Sequence, residues 1–168
     1  EAAGVGGITL LPDGRLVVVG YSIKAWLDGF MGQYPDLDTG LALVRTDGSL
    51  DPGGFGNGGR LALDLPAAGR SDYAVATVAL EDGRIIVAGT ADSNSGTRFF
   101  MVRMTTQGNL DPSFGERDGF AWAGSITQPS GFHRTASGQF VACGTWLPSS
   151  APEGRIARFD SAGDLVGE

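Results

Sequence analysis

Short apolar runs bounded by glycine-containing turns dominate this chain. Residues 84–89 are typical, since an arginine is followed by four consecutive apolar residues and a glycine. Runs of this length that are rich in β-branched residues predict strands rather than helices. Because neighbouring positions are apolar without polar alternation, we expect both faces of such a strand to be covered. The pattern therefore predicts an all-β protein whose sheets stack face to face.

The pattern recurs along the chain. An Asp-Gly-Arg-type turn, an apolar run and a closing glycine occupy residues 12–20, 81–89 and, more loosely, 136–144. A second motif, Gly-x-Leu-Asp-Pro, follows each copy of the first; it occurs at residues 48–52, 108–112 and, in weaker form, 163–165. Asp-Gly between two apolar runs predicts a hairpin, because a type I′ turn needs positive φ at both central residues. These turns divide the chain into strands near residues 5–11, 15–22, 41–46 and 59–65, then 73–80, 84–91, 98–105 and 118–124, and finally 131–136, 139–146 and 154–160, with another starting at Leu165.

Groups of four strands predict one antiparallel unit per repeat. Radial stacking of such units gives a β-propeller, which leaves only short, protected sheet edges. A solenoid of short coils would repeat every 20 to 30 residues or so, and a sandwich would not repeat its turns. We therefore expect one β-propeller segment over residues 1–168, with blades at 1–66, 67–125 and 126–168. Closed propellers take about four to eight blades, so we expect either a piece of a larger propeller or two copies that self-associate to complete a ring.

One family resemblance rests on these motifs. The order Asp-Gly-Arg, apolar run, Gly, a strand ending in Arg, Gly-x-Leu-Asp-Pro and Phe-Gly resembles the delta-60 repeat, a bacterial β-propeller repeat similar in appearance to NHL-type blades. It covers nearly the whole chain and is clearest in the second unit, with Arg103, Asp111 and Phe114 in place. The first unit has an extra glycine in residues 52–56; in the third, Val166 replaces the Asp and no Pro-x-Phe-Gly follows. The resemblance implies a propeller often found on exported or surface proteins and no defined activity.

Charge and composition limit the classes of binding partner and the location that we expect for the protein. The net charge of −7 argues against binding to a nucleic acid backbone. No apolar run approaches the roughly 20 residues that span a bilayer, so membrane insertion is not expected. Residues 1–4 have no basic or apolar leader character, which fits a cytoplasmic protein or an excised piece of an exported one. With the resemblance, we expect a secreted or cell-surface protein. The single cysteine, Cys143, allows no internal disulfide and is expected to be buried.

Loops that differ between the units are the expected binding site. The hairpin turns of the motifs are nearly identical, whereas the second-to-third connections at 21–40, 91–96 and 146–154 differ sharply. Scaffolds usually carry their function on such loops. The candidate ligand-binding residues are the aromatic ones, Trp26, Phe30, Tyr34 and Trp146. Their rings would stack on a sugar or anchor a partner protein; packing against a neighbouring blade is the alternative.

Oxygen-bearing side chains in two of these loops suggest a cation. The candidate metal ligands are Asp36, Asp38, Asp92 and Asn94. Oxygens two residues apart suit Ca²⁺, but the glycine stands at the fifth rather than the sixth position and no Glu stands at the twelfth, unlike an EF-hand. Asp, Asn and Gly also favour turns for local reasons. Ca²⁺ is the one cofactor hypothesis.

The sequence contains few motifs that indicate catalysis, and no catalytic residue is assigned. The sequence has no Gly-x-Ser-x-Gly elbow, no metal-spaced His or Cys cluster and no Walker-type loop. We therefore favour a non-catalytic binding or structural module that presents its variable loops to a protein or glycan partner. The alternative is a propeller hydrolase or lyase acting on a polysaccharide through His133, beside Arg134, or through a pair among Asp36, Asp38, Asp72 and Asp92. The recurring Arg45, Arg103 and Arg158, with Asp51 and Asp111, are expected to form ion pairs or brace turns inside each blade.

Overall fold

The architecture consists of three four-stranded antiparallel sheets. A computed structural model of the chain describes residues 3–29, 32–63, 65, 71–93, 96–116, 118–148 and 151–168. The strands are β1 (Ala3–Leu10), β2 (Leu16–Gly29), β3 (Gly32–Val44), β4 (Arg60–Leu63), β5 (Asp72–Ala79), β6 (Ile85–Ser93), β7 (Gly96–Met104), β8 (Phe120–Ala123), β9 (Gln128–Arg134), β10 (Phe140–Trp146), β11 (Glu153–Phe159) and β12 (Leu165–Gly167). Strands β1–β4 form blade 1, β5–β8 form blade 2 and β9–β12 form blade 3, each in sequential order. The all-β prediction is confirmed.

Blade 2 is buried on both faces, as the consecutive apolar residues of its second strand predict. In β6, Ile85 and Val87 belong to the core shared with blade 1, whereas Ile86 and Ala88 belong to the core shared with blade 3. We call the face that a blade turns to the next blade in sequence its forward face, and the opposite one its back face. Stacking of forward face on back face thus builds the two hydrophobic cores of the described chain.

The first hairpin turn of each blade is wider than a two-residue type I′ turn. In blade 1 the Gly14 amide donates to the Leu11 carbonyl at 3.0 Å, and the Leu11 amide donates to the Arg15 carbonyl at 2.8 Å. Pro12 lies at the centre of this turn, and its ring holds φ near −65°, so positive φ at both central residues is impossible. The positive φ falls instead on the next residue, Gly14, at 87°. The expectation of a type I′ turn was therefore wrong, although the hairpin itself is present.

A two-stranded arm replaces the longest expected loop, residues 21–40. β2 continues to Gly29 and β3 begins at Gly32, with Ile23 opposite Leu37 across the pair. Asp and Gly in this segment favour turns locally, but pairing of its apolar residues across the strands prevails. β1 pairs with β2 only as far as Ser22, so beyond it the arm has two strands. The second connection is also shorter than expected, because β6 and β7 pair as far as Ser93 opposite Gly96. In the third, β10 ends at Trp146 and β11 begins at Glu153.

A phenylalanine from each of the first two blades anchors the next blade. Phe114 is fully buried, and its ring meets Phe140 of blade 3 edge-on at a centroid distance of 6.1 Å. A Cβ added to Gly163 would lie 2.6 Å from the Phe114 ring, so only glycine leaves room for it. Phe55 of blade 1 packs in the same way on Gly108 of blade 2. The Phe-Gly motif therefore forms a joint between blades.

The last described strand of blade 3 is β12. It pairs with the end of β11, where Leu165 lies opposite Phe159. This pairing corresponds to the isolated bridge between Leu110 and Met104 in blade 2 and not to β8. Cys143 is half-buried rather than buried, because its side chain lies on the forward face of blade 3, where no further blade is packed within the described chain. No helix that could cross a bilayer occurs among the described residues.

Candidate functional site

Charged side chains brace the turn face, which carries the first-to-second and third-to-fourth strand connections. In blade 2, Asp111 accepts hydrogen bonds from Arg84 Nη1 at 2.7 Å and from Arg103 Nε at 2.8 Å. A hydrogen bond from Ser113 and these two guanidinium groups hold the pKa of Asp111 well below its usual range, against the opposing effect of burial. In blade 1, Asp51 binds Arg15 and Arg45 in the same way. The prediction that the recurring arginines form ion pairs that brace turns is confirmed in blades 1 and 2, but it was wrong for Arg158 of blade 3, which pairs with no carboxylate among the described residues.

The cavity on this face offers few free polar groups. It has a volume of about 290 Å³ between blades 1 and 2, and its lining includes Leu11, Arg15, Phe55 and Asp82. Arg15 is already paired with Asp13 and Asp51, and Asp82 with Arg84. Because Asp13, Arg15 and Asp82 are already paired inside the protein, the cavity fits a scaffold better than a ligand site.

The variable face, at the opposite end of the sheets, carries the β2–β3, β6–β7 and β10–β11 connections. Trp26 lies there on the arm, and its side chain is 58% exposed. Trp146 ends β10 and is half-buried, with the Arg155 guanidinium carbon 4.9 Å from its ring centroid. The next residue, Leu147, is exposed. Phe30 lies outside the described residues, and of Tyr34 only the backbone, in β3, is described. Apolar surface is thus presented by blades 1 and 3.

The candidate cation ligands have partners of different kinds. Asp38 forms an ion pair with Lys24 at 3.4 Å. Asp92 accepts a hydrogen bond from the Thr97 hydroxyl at 2.6 Å. Asp36 has one buried carboxylate oxygen without a hydrogen-bond partner, and Asn94 lies outside the described residues. In the described ranges no three His, Cys, Asp or Glu side chains come together to hold a metal ion. The Ca²⁺ site stays a prediction.

Asp72 is a buried acid with a raised pKa, and its sequence context gives no sign of its role. Its carboxylate is only 2% exposed and accepts a hydrogen bond from the Thr39 amide at 2.8 Å. Burial raises the pKa of Asp72 to about 6, and the nearby charge of Asp38 adds to that increase. The neighbouring Ser71 hydroxyl accepts from the Leu37 amide at 3.2 Å. Both residues therefore satisfy the edge of β3 where it runs past β4, and the enclosed Asp72 is out of reach of a substrate.

His133 lies apart from the acidic residues. It is exposed on β9, opposite Val141 of β10. In the part of the chain that the structure describes, it forms no ion pair or hydrogen bond with a carboxylate. The arrangement gives it no partner for acid–base chemistry.

Comparison with known proteins agrees with this architecture. A family model described as a β-propeller domain of unknown function, DUF5122, matches residues 80–114. This segment contains β6, β7 and the joint residue Phe114. No curated protein matches the chain. The match and the three four-stranded sheets together show a β-propeller fold, present in the described chain as an open set of three blades rather than a closed ring.

Proposed function

We propose that this β-propeller is a non-catalytic binding module whose variable face binds a protein or glycan partner. The observation that carries the proposal is the exposure of Trp26 on an arm whose described side chains belong to neither hydrophobic core. A large exposed aromatic ring is the type of residue that dominates binding energy at interfaces and sugar sites. Trp146 and Leu147 extend apolar surface to the same face from blade 3.

The repeat also supports a family, a source and a location for the protein. The order of turn, strand and Phe-Gly motifs supports a delta-60 repeat, and through it a bacterial protein that is secreted or displayed at the cell surface. Immunodetection of the natural protein in culture medium and in cell fractions tests the location. Recovery only from the cytoplasm would contradict it.

Replacement of Trp26 tests the binding role. A first assay, for glycans, measures retention of the protein on insoluble cellulose, chitin and peptidoglycan. A second assay, for protein partners, places a photo-crosslinking residue at position 26 and exposes it to extracellular protein of the source organism. Trp26→Ala should weaken binding by about 2 kcal/mol or more, which is about 30-fold. Gln107→Ala, on an exposed turn of the opposite face, is the matched control.

Three outcomes decide the proposal. Retention on a polysaccharide that Trp26→Ala loses identifies a glycan, and a specific crosslink that competes with unlabelled protein identifies a protein partner. Equal binding by Trp26→Ala and Gln107→Ala, or no binding in either assay, would contradict the proposal.

The hydrolase or lyase alternative has less support. The acid with the raised pKa, Asp72, is enclosed between blades 1 and 2, and His133 lies exposed on blade 3. The two groups occupy different blades, and neither lines the cavity of about 290 Å³ on the turn face.

A further inference from the structure

Two consecutive side chains of blade 2 bind the base of the arm. The edge of β3 that faces away from β2 pairs with β4 as far as Thr39, which lies opposite Leu63. At the arm base, the Leu37 amide donates to the Ser71 hydroxyl at 3.2 Å. The Thr39 amide donates to an Asp72 carboxylate oxygen at 2.8 Å. Side chains of the next blade therefore bind two amides of this edge where the pairing with β4 ends.

Both side chains are anchored in blade 2. The Ser71 carbonyl accepts a hydrogen bond from the Asp92 amide at 2.8 Å, and its hydroxyl also donates to the Pro35 carbonyl at 3.4 Å. Asp72 begins β5 and lies opposite Ala91 of β6. The arm of blade 1 is thus tied at its base to the sheet of blade 2.

The charge of Asp72 is not neutralised by a neighbour. Asp38 of β3 is buried as well, and its carboxylate adds to the rise in the pKa of Asp72 that burial causes. Lys24 of β2 forms an ion pair with Asp38 at 3.4 Å. In blade 2, Arg98 lies in the same row as Asp72, but its guanidinium carbon is 3.8 Å from the centroid of the Trp122 ring. Among the described residues Asp72 forms no ion pair, so its negative charge is buried near another one.

We propose that Ser71 and Asp72 form a latch that holds the arm, and that ionisation of Asp72 loosens this latch. A neutral carboxyl group still offers an oxygen to the Thr39 amide and is not repelled by Asp38. An ionised carboxylate is costly to bury near a like charge, and contact with water relieves that cost. Opening the latch breaks the hydrogen bonds at the arm base, whereas global unfolding breaks both hydrophobic cores. Local opening is therefore the less costly response to ionisation.

The consequence for binding rests on the proposed function, since Trp26 lies on the same arm. A closed latch limits the positions that the Trp26 ring can take, so less conformational entropy is lost when a partner binds. An open latch lets the arm move relative to blade 2. The variable face should therefore bind its partner more tightly below pH 6 than above it.

Amide hydrogen exchange at pH 5 and pH 8, corrected for the intrinsic exchange rate at each pH, tests the latch without a partner. Burial raises the pKa of Asp72 to about 6 in the closed latch, whereas a carboxyl group in water keeps the ordinary value of 3.8. The proton stabilises the closed latch below pH 6, and this stabilisation is lost as the pH rises through 6. Opening should therefore be about tenfold more frequent at pH 8 than at pH 5, and the Leu37 and Thr39 amides should lose protection by that factor.

Three variants assign the effect to the latch. Asp72→Asn keeps an oxygen for the Thr39 amide but carries no charge, so the protection of that amide should be the same at both pH values. Ser71→Ala removes the acceptor of the Leu37 amide and should lower its protection at both. His133→Gln is the matched control, because the one histidine of the sequence also titrates in this range but lies on β9 of blade 3. It should retain the tenfold change.

The outcomes separate the latch from the binding role. No change in wild-type protection between the two pH values, or a change that persists in Asp72→Asn, would overturn the latch. Protection of the Thr39 amide equal to that of the core residue Val87 would also overturn it, because exchange would then require global unfolding. These measurements involve no ligand. A pH-dependent latch without any binding partner would contradict the proposed function alone, and binding with constant protection would contradict the latch alone.

Discussion

Removal of the Phe114 side chain should detach blade 3 from blade 2. The ring is fully buried, meets Phe140 edge-on at 6.1 Å and lies 4.9 Å from the Arg103 guanidinium carbon. Truncation of a buried phenylalanine to alanine costs about 3 to 5 kcal/mol. Whole-domain stabilities are about 5 to 15 kcal/mol, so Phe114→Ala should remove a large part of the stability. Urea unfolding followed by circular dichroism measures the loss.

Hydrogen exchange shows where that loss falls. Because the ring joins two blades, amides of β10 and β11 should lose more protection in Phe114→Ala than amides of β2 and β3. Phe55→Ala, at the joint between blades 1 and 2, is the matched control, and its loss should fall on blade 1. A cost below about 1 kcal/mol, or an even loss of protection across all three blades in both variants, would refute the view that these rings are joints.

Two further predictions concern the joint and the buried acid. Gly163→Ala should destabilise the protein by more than Gly48→Ala in urea unfolding. Both glycines have positive φ, but only the Cβ at position 163 meets the Phe114 ring. Equal losses of stability would mean that the backbone cost of about 1 to 2 kcal/mol is the whole effect. Asp72→Asn should stabilise the protein at pH 8 by up to about 3 kcal/mol, the equivalent of a rise in pKa from 3.8 to about 6. The folded state binds the Asp72 proton more tightly than the unfolded state does, so wild-type stability rises relative to the variant as pH falls through 6 towards 4. Thermal unfolding of both proteins at pH 4, 6 and 8 checks this. A stability difference between the two proteins that does not shrink as pH falls would contradict the prediction.

The repeat could be predicted from sequence because its information is local. The four consecutive apolar residues that follow Arg84 require cover on both faces of β6, and the two cores provide it. The turn glycines mark each first hairpin even though Pro12 excludes the expected turn type. The bracing pairs were also predictable, since Asp51 and Asp111 recur at fixed positions in the motif.

Contacts that depend on the neighbouring blade could not be predicted. The arm at residues 21–40 is rich in Asp and Gly, and only pairing across its two strands shows that it is not a loop. Asp72 has no motif around it; its role comes from the unpaired edge of β3, which extends past the four-residue β4. Cys143 resembles any buried strand cysteine, and only the position of its blade in the stack decides its exposure.

The third blade shows that the bracing acid and the joint ring act together. Arg103 is 8% exposed because Asp111 pairs with it and Phe114 covers it. In blade 3 the equivalent arginine, Arg158, is exposed, and no described carboxylate pairs with it, since Val166 takes the place of the Asp. In blades 1 and 2 the acid and the ring lie on the same short segment, Asp51 with Phe55 and Asp111 with Phe114. One stretch of each of these two repeats therefore does two things: it neutralises the arginine of its own blade and anchors the following blade. In blade 3, where Val166 takes the place of the acid, Arg158 is not neutralised in this way.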